Sequence, residues 1–368
     1  MKIKTITCHE VYNHGASLQE YALLKYLEEL GHTAEVIHYK PPYLSQHFNL
    51  WAISNPVYKR NLVFKIVYLI LKLPRRVIAL KRKKAFDVFS KRYIKTSKTK
   101  YTSNDELKKK LPEADAYICG SDQIWNSFFQ NGKDPAFYLN FVPDDKLKIS
   151  YAASFAIDEI QKDLVPFVKE KVGRINHVSV RETSGVKILK NLGISKTIQV
   201  MDPVFLLSLN YWKDTFVESL DDKFVFVYDF DSNPLIKEMA LKLKKENGYE
   251  IYTVNKNITY ADKNYYLEGP EKFLSLIYNS QYNLTNSFHA VAFSLIFEKQ
   301  FLVFNRSEKI NTRMRDLLEL IGLPQFLVDT KCIKDHYKEE INYKMVDKKL
   351  REHIQFSKDF LSNALKKS

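Results

Sequence analysis

Two residues stand out as a pair that could grip and protonate a small anion: Arg181 in Val180-Arg181-Glu182, and His289 in Ser287-Phe288-His289. A guanidinium presents a permanent, rigid fork of donors that matches carboxylate and phosphate. Imidazole gives and takes protons near neutral pH. Thr285, Asn286 and Ser287 are all good helix caps, so His289 is expected in the first turn of a helix, beside N–H groups that favour an anion. A second stretch, Gly120-Ser121-Asp122-Gln123-Ile124-Trp125-Asn126, follows a short apolar run. Its small residues allow a tight turn at a crevice. Asp122 is there either a general base toward a hydroxyl or a cap for its own turn. Trp125 either stacks on a sugar or packs in the interior, and Asn126 stands beside it. Asn13 and Gly15, in Asn13-His14-Gly15-Ala16, read equally as ligand contacts or as the turn that starts a helix.

These residues matter only if the elements bring them together. Alternating strands and helices do so on paper. Strands are expected at Ile3 to Cys8, Ala34 to Tyr39, Ala116 to Cys119, Lys148 to Ser154, His177 to Val180 and Thr197 to Met201, with helices between them. A second series follows, with strands at Phe224 to Tyr228, Tyr249 to Val254, Gln281 to Leu284 and Phe301 to Phe304. The expected fold is therefore α/β: two Rossmann-like, doubly wound domains whose strand ends face a shared cleft. The first domain is placed at 1–207 with a basic helical insertion at about 56–100, the second at 208–345. A last helix over 346–368 could pack back on the first domain. Every candidate residue falls at a carboxyl end of an expected strand, where such sheets bind ligands.

Composition narrows the class. The chain has 368 residues, 45% of them hydrophobic, with 10 Gly and 12 Pro, which is a globular rather than disordered or fibrous balance. Its start, MKIKTITCHE, has neither an apolar core segment nor a small-residue cleavage site, so no signal peptide and a cytoplasmic setting are expected. Cys8, Cys119 and Cys332 lie far apart and form no metal or disulfide pattern. The net charge of +14 is carried entirely by residues 59–100, with fifteen Lys or Arg against Asp87 alone. No nucleic-acid motif accompanies it. The block includes the run Leu62 to Leu73, which is too short to span a bilayer. It reads either as a peripheral contact with the anionic inner face of the cytoplasmic membrane or as a core helix followed by a solvated basic one.

Taken in order, Asn13-x-Gly15-Ala16-x-Leu18-Gln19, Gly120-Ser-Asp-Gln-Ile-Trp-Asn126, Val180-Arg-Glu182, Asp202-Pro203 and Ser287-Phe-His-Ala290 resemble the polysaccharide pyruvyl transferase family over about residues 1 to 325. The resemblance implies a fold similar to that of GT-B glycosyltransferases. It also implies phosphoenolpyruvate as donor, and transfer of its pyruvyl group as a ketal to a sugar of a surface polysaccharide such as a capsule or exopolysaccharide, or of its lipid-linked precursor. By the same resemblance Arg181 and His289 hold the donor, and Ser287, Asn13, Gly15 and Ser121 are assigned beside it. From residue type, His289 serves as acid or phosphate contact and Asp122 as base or turn cap, while Trp125 and Asn126 are assigned to the acceptor. No cofactor or metal is expected. The family pattern has arginine where this chain has Ser287, so Arg306, Arg313 or Arg315 is expected to reach the cleft, with Arg313 assigned to the donor. Two other readings remain open: a GT-B-like transferase using a nucleotide-sugar, and a noncatalytic protein that binds a polysaccharide precursor.

Overall fold

The computed structural model describes residues 1–44, 53, 58, 60–308, 310–328 and 337–366. The expectations for Cys332 and for the start of the basic block at Lys59 lie outside the described residues. Seven strands, β1 (Lys2–Ile6), β2 (Thr33–Tyr39), β3 (Thr96–Tyr101), β4 (Ala116–Cys119), β5 (Leu147–Ala153), β6 (His177–Val180) and β7 (Thr197–Gln199), form one sheet in the order β3-β2-β1-β4-β5-β6-β7. Six more, β8 (Phe224–Tyr228), β9 (Glu250–Thr253), β10 (Lys263–Asn264), β11 (Tyr282–Thr285), β12 (Phe301–Phe304) and β13 (Leu327–Val328), form a second in the order β10-β9-β8-β11-β12-β13. Neighbours are parallel throughout, for instance Thr5 opposite Ile118 and Leu284 opposite Val227. The strand order reverses between β1 and β4 in the first sheet and between β8 and β11 in the second. Those two reversals open crevices at the carboxyl ends, and the candidate residues sit on their rims.

Helices cover both faces of each sheet, which is why β4 and β8 are apolar and buried along their whole length instead of alternating. In chain order the helices are α1 (His14–Glu29), α2 (Leu62–Tyr93), α3 (Asn104–Lys109), α4 (Val165–Gly173), α5 (Thr183–Asn191), α6 (Leu209–Phe216), α7 (Pro234–Asn247), α8 (Pro270–Asn279), α9 (Phe288–Ile296), α10 (Thr312–Ile321) and α11 (Tyr343–Ala364). α1 is buried without a break from His14 to Leu24, because the second domain covers the side that the first sheet does not. Tyr21 packs edge-on to Trp212 at 5.9 Å and to Phe216 at 5.3 Å, both on α6. One apolar core thus runs from Ile3 and Leu18 through Trp212 to Phe226 and Phe301. A second core fills the other face of the first sheet. From α11, the Ser357 hydroxyl accepts from the Met201 N–H at 2.8 Å, which sets the last helix against the first domain.

The basic segment differs from its sequence reading in two ways. Residues Thr96–Tyr101, read as the tail of a helical insertion, form the edge strand β3, whose Lys98 and Lys100 point to solvent. Lysines on an exposed edge give the same composition as a solvated helix, and they also blunt that edge against further pairing. The remainder is one helix, α2, that runs through Pro74. Its basic second half is the packed part: Arg82, Phe86 and Phe89 are buried, whereas the apolar first half buries Tyr68 alone.

Candidate active site

Arg181 sits where β6 ends, its backbone N–H donating to Ala153 O at 3.2 Å, and its side chain is buried. Nη1 donates to Asp202 Oδ2 at 2.6 Å and lies 3.4 Å from Ser121 Oγ. Asp202 follows β7 and caps a short turn, Oδ1 accepting from Val204 N–H at 3.1 Å. His289 reaches the same oxygen from the second domain, with Nε2 at 3.6 Å from Asp202 Oδ2. Burial alone would raise the Asp202 carboxyl; His289 and Arg181 outweigh it and hold the group well below the usual carboxylate range.

Local sequence explains the placement of His289. After β11, Asn286 accepts from Phe230 N–H at 3.0 Å and donates to Asp229 Oδ1 at 2.8 Å, which pins the turn. The Ser287 N–H donates to Thr285 Oγ1 at 3.0 Å, and α9 starts at Phe288. The opposite wall is Gly15 of α1. A Cβ there would lie 2.1 Å from His289 Nδ1, so the imidazole occupies space that any other residue would fill.

Phe288 forms the floor. Its ring lies under the Arg181 guanidinium at 4.3 Å and near that of Arg313 at 6.0 Å. Arg313 is buried on α10, and burial together with neighbouring Arg181 lowers its pKa to about 10. At the mouth, Asp122 Oδ1 stands 3.9 Å from Arg181 Nη2 and 4.0 Å from Arg313 Nη1, beyond hydrogen-bond reach of both. Among the described residues, Arg181 Nε and Nη2, Arg313 Nε and His289 Nε2 are buried without hydrogen-bond partners. Buried donors of this kind are costly to leave unmet, and their residues cluster around Asp202 and Phe288, an arrangement able to receive an anion with several oxygens. Glu182 does not fill it: its Oε1 accepts from Ser154 Oγ at 2.9 Å and Ala156 N–H at 2.7 Å, its Oε2 is 3.8 Å from Arg181 Nε, and burial raises its pKa.

Arg181, His289, Asp122, Ser121, Gly15 and Arg313 are therefore brought together. Ser121 Oγ lies 3.0 Å from both Ala152 O and Asp202 Oδ2. Asn13 caps α1, its Oδ1 accepting from Ala16 N–H at 3.2 Å, and Ser287 borders the site without a side-chain cap of its own. Arg306 turns to Asp231 and Glu308, and Arg315 to Asp158 and Asp316. Two sequence readings are corrected. Trp125 is fully buried, stacked on Tyr138 at 5.3 Å, and donates its indole N–H to Phe137 O at 3.0 Å, so no face is left for a sugar. Asn126 is also buried; it donates to Gln123 Oε1 and accepts from Phe128 N–H, which makes it a turn brace. Arg181 and Glu182 are both interior. Sequence reasoning missed Asp202 and Phe288, although the Asp-Pro pair and the Ser-Phe-His run were both in view. It also missed a cluster at the end of β1 and β2, where potential ligand atoms of His9, Glu10 and His38 lie within 4.8 Å of one another. There the Lys40 ammonium pairs with Glu10, which opposes a cation, and Glu20 holds His9 through Nδ1.

The family model described as polysaccharide pyruvyl transferase matches residues 13–308. The chain belongs to that family. Membership places this pyruvyl transferase family protein among transferases of polysaccharide synthesis. No curated protein matches the sequence closely enough to count as a relative. Among solved structures, an S. aureus protein, MnaA, determined with UDP, has a TM-score of 0.54 at 14% identity, covering 98% of this chain and 95% of its own. A Listeria monocytogenes protein provisionally assigned as a UDP-N-acetylglucosamine 2-epimerase has a TM-score of 0.52 at 10% identity, covering 99% and 95%. At such identities the likeness is one of fold: two facing α/β domains of the GT-B type.

Proposed function

We propose that the protein transfers the pyruvyl group of phosphoenolpyruvate to two hydroxyls of a sugar in a surface polysaccharide or its lipid-linked precursor, forming a ketal. The observation that carries this reading is the set of buried, unpartnered nitrogens on Arg181, Arg313 and His289, residues grouped around Asp202 and Phe288. Phosphoenolpyruvate has a carboxylate and a phosphate close together, so it needs permanent cations on more than one side. Arg313 stands in for the arginine that Ser287 lacks.

The residues fit the steps. His289 gives a proton to the methylene carbon, turning it into a methyl group and leaving the adjacent carbon electrophilic. A sugar hydroxyl adds there and loses its proton, with Asp122 at the mouth as the base. Phosphate then leaves with the C–O bond pair, its charge met by Arg181 and Arg313, and the second hydroxyl closes the ketal, its proton returning to His289. Asp202 keeps Arg181 and His289 oriented and touches neither substrate.

Thermal shift with phosphoenolpyruvate, inorganic phosphate and UDP-sugars tests the donor. A ligand at 100 times its dissociation constant adds about 2.7 kcal/mol of stability. Phosphoenolpyruvate is expected to stabilise the protein, and its phosphate to be released when a diol acceptor is added. Stabilisation by a UDP-sugar and not by phosphoenolpyruvate would overturn this donor in favour of a glycosyltransferase. Stabilisation by none of them would favour a binding protein.

A further inference from the structure

α2 has two unlike halves. Beyond Ile78 it is anchored: Arg82 donates to Val254 O at 3.0 Å and Tyr266 O at 2.6 Å, and Phe86 packs on His14 at 4.9 Å. Of the basic run 81–84, only Lys81 and Lys84 are exposed. Before Ile78 the helix projects roughly 25 Å at 1.5 Å per residue. On this half Leu62 is 71% exposed, Ile66 47%, Ile70 64%, Leu73 51% and Val77 42%. At 3.6 residues per turn these five side chains fall within about 80° of one another, while Lys65, Lys72, Arg75 and Arg76 take the other side. Of the seventeen large apolar side chains exposed among the described residues, eleven belong to α2. The other five exposed apolar residues of this half, Val63, Phe64, Val67, Leu71 and Ile78, widen the stripe to an apolar face of about 200°.

Three occupants can be weighed. No described helix is long and apolar enough to cross a membrane. A second copy packed on this half would bring Lys65, Lys72, Arg75 and Arg76 near their own copies, with no acid between residues 60 and 78 to offset them. An anionic bilayer surface satisfies both sides of the helix, because the apolar stripe enters the acyl boundary while lysines and arginines reach lipid phosphates. We propose that the first half of α2 is an in-plane anchor that docks the protein on an anionic phospholipid surface. The inference is independent of the donor assignment.

Flotation of the full chain with phosphatidylcholine vesicles, with and without phosphatidylglycerol, tests it. Binding is expected to the anionic vesicles and to fall as salt rises. The triple variant Ile66→Glu, Ile70→Glu, Leu73→Glu should lose it, and each of Lys65→Gln, Arg75→Gln and Lys81→Gln should weaken it about fivefold. Unchanged circular dichroism and melting would show that these surface changes leave the fold intact. Equal flotation with neutral vesicles, or none with anionic ones, overturns the proposal. So does a dimer that the triple variant dissociates without any change in vesicle binding.

Discussion

Gly15 and His289 come from different domains and touch: a Cβ added to the glycine would lie 2.1 Å from Nδ1 and 2.2 Å from Cγ of the ring. The place of the imidazole is therefore set by a side chain that is missing. Gly15→Ala must displace the His289 ring from its place beside Asp202 or shift α1 itself. A displacement of about 1 Å at a reacting group can cost on the order of 100-fold in rate, and overpacking costs roughly 1–3 kcal/mol. We expect kcat to fall by that order with a modest drop in Tm; turnover equal to wild type would mean that the position of His289 is immaterial.

Arg181 and Arg313 are best tested by lysine. Arg181→Ala would strand the buried Asp202 carboxylate, and breaking a buried pair costs about 3–5 kcal/mol, which confuses binding with folding. Arg181→Lys and Arg313→Lys keep the charge and lose the fork. Each should lower kcat/KM for phosphoenolpyruvate by about 10- to 100-fold, equivalent to roughly 1.5–3 kcal/mol. If Arg313→Lys has wild-type kinetics, the guanidinium does not replace the one missing at Ser287.

Trp125 separates packing from recognition. Its ring lies 5.3 Å from that of Tyr138 with the planes 3° apart, deep in the first domain. Trp125→Ala should destabilise the protein by about 3–5 kcal/mol. Trp125→Phe should be milder, with the acceptor KM unaltered. A tenfold rise in acceptor KM without loss of stability would restore the sugar-stacking role.

His14 predicts a pH dependence. Its Nδ1 is 2.9 Å from Tyr228 Oη, and burial, then nearby Arg82, lower its pKa well below 6.5. As pH falls below 6.5 the unfolded chain takes up a proton that folded His14 refuses, so this residue makes stability fall from that point down to its folded pKa. The wild type should lose more Tm between pH 7 and pH 5 than His14→Gln, measured by calorimetry. Parallel curves for the two proteins would rule His14 out as a source of acid sensitivity.

The parts of the fold that the sequence showed were those with unambiguous signals. Ala116–Cys119 and Phe301–Phe304 are short apolar runs, His177–Val180 alternates polar with apolar residues, and each is a strand with those bounds. Thr96–Tyr101 was hidden because an edge strand needs no apolar run. In the site, residue type pointed to Arg181 and His289, since their chemistry is rare at a strand end or helix start. Asp202 and Phe288 were not legible because their roles are relations: one is where two domains' cations meet, the other what they lie upon. Trp125 misled because the same side chain serves a sugar or a core, and only its neighbours decide.

The apolar core that passes from Ile3 through Trp212 to Phe301 has a consequence for unfolding. Two sheets that share an interior cannot melt separately without exposing the seam around Tyr21 and Phe216 to water. Heat should then produce one calorimetric transition whose van't Hoff and calorimetric enthalpies agree, and neither half of the chain should fold when expressed alone.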